Sequence, residues 1–202
     1  MSEPDLMQTA KFLFEVGTMR KIPRAHMQLL HTSDLSDNIA SHSYRVAVIG
    51  YFLAKLEGAD AGKVMLMCLL HDVGETRTGD QNWVHKRYVE IDEMAVARDQ
   101  LASLFFSNAL ETLTEYAKRE SREAIISKDA DILDQLCLKC EHAMEGNEEA
   151  KRWLRGRTKP QEYNDVKHLK TLSAQLLGKA IYDTSPSSWW YDVYTRDRKS
   201  SE

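Results

Sequence analysis

The sequence predicts an all-α fold, on three observations. Among 202 residues there are only nine glycines and four prolines, so few positions force the chain to turn. The alternation of β-branched with polar residues that marks a half-buried strand is nearly absent. Apolar residues recur instead at three- and four-residue steps through most of the chain, the spacing of a helix face. A chain of this size suits one domain with a core of its own, built from roughly seven to nine helices of ordinary length.

A first helix is expected near Asp5–Gly17. The connection that follows, from about Arg20 to Asp37, contains Pro23 and exceeds the usual link of ~4–6 residues, as loops that carry function often do. Asn38–Glu57 reads as the second helix. Its stripe of Ile39, His42, Val46, Ile49, Leu53 and Leu56 places His42 inside the apolar face rather than at its edge. The short turn Gly58-Ala59-Asp60 allows a third helix, Ala61–Asp72, to fold back antiparallel. A second long connection, Thr76–Asn82, holds Thr78-Gly79-Asp80. Further helices are expected at Val84–Ser107, Ala109–Arg119, Arg122–Met144, Glu148–Arg155 and Gln161–Tyr182. Residues 1–182 form the expected domain and 183–202 a tail carrying Trp189-Trp190-Tyr191 and Tyr194. Aromatic residues in such a segment fit docking onto the domain or onto a neighbouring subunit.

Composition narrows the function. A net charge of −4 argues against bulk binding to nucleic acid or an anionic membrane, which need concentrated basic surface. The basic stretch Lys151, Arg152, Arg155, Arg157 and Lys159 reads as an ordinary solvated face. No signal-like segment and no apolar run of membrane-spanning length is seen, so a cytoplasmic protein is expected. The three cysteines then read as reduced thiols. Cys137 and Cys140 have zinc-like spacing, but they sit inside a helical pattern without a second pair.

The chemistry centres on His71-Asp72, which ends the apolar run Val64-Met65-Leu66-Met67-Cys68-Leu69-Leu70. A carboxylate rarely follows such a run without a partner, because burying it alone costs several kcal/mol. A metal ion is one of the few partners suiting both an imidazole and a carboxylate. Glu75 follows at i+4 from His71 and i+3 from Asp72, on the same side of the helix end. A further ligand should come from Lys128–Asp134, which carries Asp129, Asp131 and Asp134. Periodicity favours Asp129, which shares a stripe with Ile125, Ile132, Leu136 and Cys140, whereas Asp131 projects away from it. A helix buried on several sides can present either.

Taken together, Ser41-His42-Ser43-Tyr44-Arg45-Val46-Ala47, Leu70-His71-Asp72-Val73-Gly74-Glu75, Thr78-Gly79-Asp80 and Lys128-Asp129-Ala130-Asp131 resemble the HD-domain metal-dependent phosphohydrolases. The nearest branch is that of the small 5′-deoxynucleotidase-like proteins. The resemblance covers about residues 10–145. It implies a single helical HD domain with His42, His71, Asp72 and Asp131 as metal ligands, and it selects Asp131 because the family's last Asp follows a Lys by three residues. Two imidazoles and two carboxylates with open positions suit Mn²⁺, Co²⁺, Fe²⁺ or Ni²⁺, with Mg²⁺ and Zn²⁺ also admitted. The resemblance further implies Glu75 and Asp80 as catalytic carboxylates, one serving the attacking water and the other the leaving oxygen, in either order. Arg20 and Arg24 flank Pro23, where the family keeps a basic substrate-contacting segment, and Lys128 is a third candidate for phosphate. Of the remaining histidines only His26 should border the site. The expected substrate is a nucleoside 5′-monophosphate, with a triphosphate, another phosphorylated metabolite or a non-catalytic role as alternatives. A homodimer is implied as well. Some relatives place a Trp directly after the loop arginine, against the ribose 2′-hydroxyl. Here Lys21 and Ile22 follow Arg20, so only modest selection between deoxyribose and ribose is expected.

Overall fold

A computed structural model describes residues 3–102, 104, 107–157, 159–191 and 193. In chain order the helices are α1 (Glu3–Val16), α2 (His26–Leu30), α3 (Ile39–Glu57), α4 (Ala61–Leu70), α5 (Glu75–Thr78) and α6 (Glu93–Leu101). They continue with α7 (Ser107–Lys118), α8 (Arg122–Met144), α9 (Glu148–Arg155) and α10 (Leu172–Asp183). Among the described residues there is no strand, only one antiparallel bridge between Pro23 and Asn38. No helix among them is long and apolar enough to cross a membrane.

The hairpin of α3 and α4 is built by local chemistry. Asn38 caps α3 by accepting the Ser41 N–H, and Gly58 ends it at φ 66°, a conformation that costs a residue with a Cβ. Asp60 then caps α4 through the Lys63 N–H. Gly50 sets how closely the two helices approach, since a Cβ there would lie 2.7 Å from Cys68 Sγ. Both helices pack against α8, and Val46, Leu53, Val64, Cys68, Ile126, Leu133 and Leu136 form the core between them. A second core of Met19, Ile39, Val73 and Leu101 lies under the loop before α3 and the end of α4. That loop is tied down by Arg24 N–H to Asp37 O and Ile39 N–H to Ile22 O. His42, one turn into α3, is thereby brought to His71 at the end of α4.

Several expectations need correction. Leu56 does not complete the buried stripe of α3; it is 70% exposed. The helix expected over Val84–Ser107 is instead a 3-10 turn at His85–Arg87, a stretch without regular structure and α6. Asp92 starts α6 by capping Ala95 N–H, and the Asn82 side chain takes the Val84 and His85 N–H groups into the turn before it. The helix expected over Gln161–Tyr182 begins only at Leu172, after a 3-10 turn at Val166–His168. Both long loops contain short helical pieces, α2 in the first and α5 in the second. Of the tail aromatics, Trp189, Trp190 and Tyr191 lie at a short 3-10 turn and are exposed, while Tyr194 lies outside the described residues.

Candidate metal centre

Three elements meet at one point. His42 arrives from α3, His71 and Asp72 from the end of α4, and Asp131 from the middle of α8. One ligand atom from each of His42, His71 and Asp72 lies within 4.8 Å of the others. His42 Nε2 stands 3.2 Å from His71 Nε2, 3.4 Å from Asp72 Oδ2 and 3.4 Å from Asp131 Oδ1. His71 Nε2 stands 3.2 Å from the same Asp72 oxygen.

The opposite ring nitrogens are already occupied. His42 Nδ1 is 2.6 Å from Asp134 Oδ2, and His71 Nδ1 is 2.7 Å from the Cys68 carbonyl. Each Nδ1 therefore donates, which leaves both Nε2 lone pairs directed at each other and at two carboxylate oxygens. Four acceptors facing one another inside a protein repel unless a cation lies among them. Adjacent ligands at ~2.1 Å from one ion stand ~3 Å apart, close to the separations seen. The donor set fits a divalent cation.

Asp129 is drawn elsewhere. Its carboxylate accepts the Lys170 and Thr171 N–H groups and the Thr171 hydroxyl, at 2.8 to 3.2 Å. It anchors the start of α10. The periodicity that favoured it marks burial, not ligation, because α8 is covered on more than one side.

A cavity of about 590 Å³ opens beside the cluster, lined in part by His71, Asp72, Asp131, Glu75, Asp80 and Arg24. Glu75 is half-buried, and its Oε2 has no hydrogen-bond partner among the described residues. Burial, then the charges of Asp72 and Asp80, push its pKa up to about 9. Asp80 faces the same cavity but has structural work. Its Oδ2 accepts the Ala25 N–H at 2.6 Å and lies 3.5 Å from Arg24 Nε, so it locks one long loop onto the other.

The two loop arginines separate. Arg24 is buried and bonds Asp72 Oδ2 at 3.0 Å through Nη1. Burial works against its charge, yet Asp80 and then Asp72 hold its pKa above the ordinary arginine value. Arg20 is exposed and does not line the cavity. Lys128 lines it and pairs with Asp131 Oδ2 at 2.5 Å. His26 also lines it, and burial, helped by Arg24, lowers its pKa to about 4, so it is neutral there.

Two residues have parts that the sequence reading did not assign: Asp134, weighed there only as a ligand, and Arg119. Asp134, one turn beyond Asp131, fixes the His42 ring and is itself held by Arg45, which reaches on to Glu141 at 2.5 Å. The available signal was that a buried histidine needs a partner for its second nitrogen. Arg119 ends α7 at φ 57° and lies over the Tyr116 ring at 3.3 Å, at the cavity wall. Nothing in the sequence distinguished it from a helix-end surface charge. Cys137 and Cys140 are free thiols whose pKa values burial raises to about 12 and about 11, which disfavours the thiolates a metal needs.

Comparison with known proteins decides the family, since a model of the HD domain matches residues 16–171. The chain belongs to the HD-domain family. The resemblance read from its motifs therefore holds, and so does the all-α fold. This HD domain is 30% identical over 117 residues to ribonuclease Y of Borreliella burgdorferi, a match covering 58% of the chain but only 22% of that relative. It is 24% identical over 119 residues to a 5′-deoxynucleotidase of Dictyostelium discoideum, covering 52% of the chain and 63% of the relative. A predicted metal-dependent phosphohydrolase from Magnetospirillum magnetotacticum MS-1 superposes with a TM-score of 0.66 at 24% identity. That superposition covers 90% of this chain and 94% of the other, and at this identity it shows the shared fold.

Proposed function

We propose that this HD domain is a metal-dependent phosphomonoesterase that releases phosphate from (deoxy)nucleoside 5′-monophosphates. The observation that carries the reading is the convergence of His42, His71, Asp72 and Asp131 beside a cavity that also presents Glu75 and several cations. The 24% identity to a 5′-deoxynucleotidase supports the substrate class. A divalent ion held by the four ligands (Mn²⁺, Co²⁺, Fe²⁺ or Ni²⁺ by donor type, with Mg²⁺ and Zn²⁺ also admitted) would polarise a phosphoryl oxygen and favour ionisation of water near neutral pH.

The protein's own groups do the rest. Lys128 and Arg119 at the cavity wall offer charge-assisted hydrogen bonds to a phosphate dianion. Arg24 Nη1 and Nε face Asp72 and Asp80, so it orients the ligand Asp72. Asp134 holds His42 in one tautomer, and Glu75 can hold or pass a proton at its unpartnered oxygen.

The test is a phosphate-release screen of nucleoside mono-, di- and triphosphates with each metal and with chelator. Chelator-sensitive release from 5′-monophosphates is expected, with kcat/KM for a deoxynucleotide and its ribonucleotide within roughly tenfold, because Lys21 rather than a Trp follows Arg20. Release from triphosphates alone would move the substrate class, and metal-independent or absent turnover would remove the reading.

The same reading includes a homodimer. On α3, Tyr44, Val48, Phe52 and Leu56 follow one another at four-residue steps and stay 40–70% exposed, a stripe that a second copy would cover. Light scattering at micromolar concentration is expected to give twice the chain mass; a monomer only would reject the dimer.

A further inference from the structure

A second concave site adjoins the first. It has a volume of about 430 Å³ and shares Trp83 with the cavity beside the metal ligands. Trp153 meets Trp83 edge-on at 4.8 Å between ring centroids, and His26 lies 6.2 to 6.3 Å from both rings. The guanidinium of Arg157 sits 5.3 Å from the Trp83 centroid. Lys159 and Lys167 complete a basic rim.

The basic stretch after residue 150 therefore divides in two. Lys151 and Arg152 pair with Glu148 and Glu149 on the open surface of α9, as a solvated face does. Arg157, Lys159 and Lys167 form no ion pair among the described residues, and Lys167 bonds only the neutral Asn164 oxygen at 2.9 Å. Lys139, deeper in the pocket, is neutralised by Asp165. The loop is shaped for this placement. Gly156 at φ 87° ends α9, and a Cβ there would lie 2.7 Å from the Lys159 carbonyl. Gln161 N–H to Arg155 O and Asn164 Nδ2 to Trp153 O close the turn.

Three unpaired cations around an indole wall are the recognition chemistry of a phosphate attached to a nucleobase: rings and guanidinium planes stack on bases, while lysines and arginine take the anion. We propose that this pocket binds a second phosphate group of a nucleotide ligand whose 5′-phosphate lies at the metal centre. The ligand class is then a 5′-phosphorylated dinucleotide or a nucleoside bisphosphate rather than a simple mononucleotide. The inference deepens the phosphomonoesterase reading and rests on it for the position of the 5′-phosphate. Binding at the basic pocket needs no turnover. The net charge of −4 argues only against a long polyanion; a ligand one nucleotide longer needs no more than this local patch.

The experiment is a titration of intrinsic tryptophan fluorescence of the full chain in chelator, which prevents metal-dependent turnover. Its probes are a 5′-phosphorylated deoxydinucleotide, a nucleoside 3′,5′-bisphosphate and a 5′-mononucleotide. At least one of the first two is expected to bind about tenfold more tightly than the mononucleotide, the worth of one charge-assisted hydrogen bond. A dinucleotide preference assigns the pocket to a diester with its second base, and a bisphosphate preference to a terminal phosphate. Arg157→Glu with Lys167→Glu should abolish the advantage and leave mononucleotide affinity unchanged. Both side chains are exposed, so the fold should tolerate the exchange. Equal affinity for all three probes, or an advantage that survives in the double variant, overturns the proposal. If no substrate is hydrolysed with metal yet the variant still loses the tighter binding, the hydrolase reading falls and the second phosphate site stands.

Discussion

Asp131→Ala is expected to abolish both metal retention and phosphate release, whereas Asp129→Ala, two residues away, should keep both and lose stability instead. Asp131 Oδ1 faces His42 Nε2 at 3.4 Å, among the converging acceptors. Removing it would delete one of the proposed ligands and leave Lys128 without its carboxylate. Asp129 is buried and accepts the first N–H groups ahead of α10. Its loss strands those donors and should cost about 3 kcal/mol, from charge-assisted bonds and a lost helix anchor. In a chain of this length that corresponds to a fall in Tm of roughly 10 °C. Elemental analysis of the purified variants, thermal melts and phosphate release separate the two effects. Metal loss in Asp129→Ala with retention in Asp131→Ala would reverse the assignment.

That pair of residues shows where the sequence was informative and where it was not. His71-Asp72 stood out because a charge after seven apolar residues needs a partner, an argument that uses only neighbours along the chain. The α3–α4 hairpin was equally readable, from Gly58, Asp60 and the stripe through His42. Asp131 was not readable from periodicity, since α8 is buried on several sides and its apolar stripe does not identify the face that meets α3 and α4. The family motif supplied that choice. The start of α10 was missed for a tertiary reason: its anchor, Asp129, lies 42 residues before Thr171. The segment after Trp83 was misread because Val84, Ile91 and Met94 keep near-helical spacing, while the Asn82 and Asp92 side chains take backbone N–H groups and divide it. Arg20 and Arg24 look alike in sequence. Only folding buries one between Asp72 and Asp80 and leaves the other in solvent.

Glu75→Gln is expected to leave the metal bound and the fold intact while lowering kcat by about 100-fold or more, the usual scale for losing a group that moves a proton. The geometry makes this residue the distinctive carboxylate of the cavity. Asp72 and Asp131 face the imidazoles, and Asp80 is engaged by the Ala25 N–H and Arg24. Glu75 is one turn beyond His71, lines the same cavity and keeps Oε2 free of any described partner. The amide keeps the size and one acceptor but cannot exchange a proton, so substrate binding should survive and KM should change little. Asp80→Asn provides the contrast. Weakening the clamp between the two loops should disturb Arg24 and through it Asp72, and so lower metal affinity together with kcat. Metal content by elemental analysis, measured beside kcat and KM, distinguishes the two patterns. Near-normal kcat in Glu75→Gln with metal bound would take Glu75 out of the mechanism, and proton transfer would have to be sought at another group on the cavity wall.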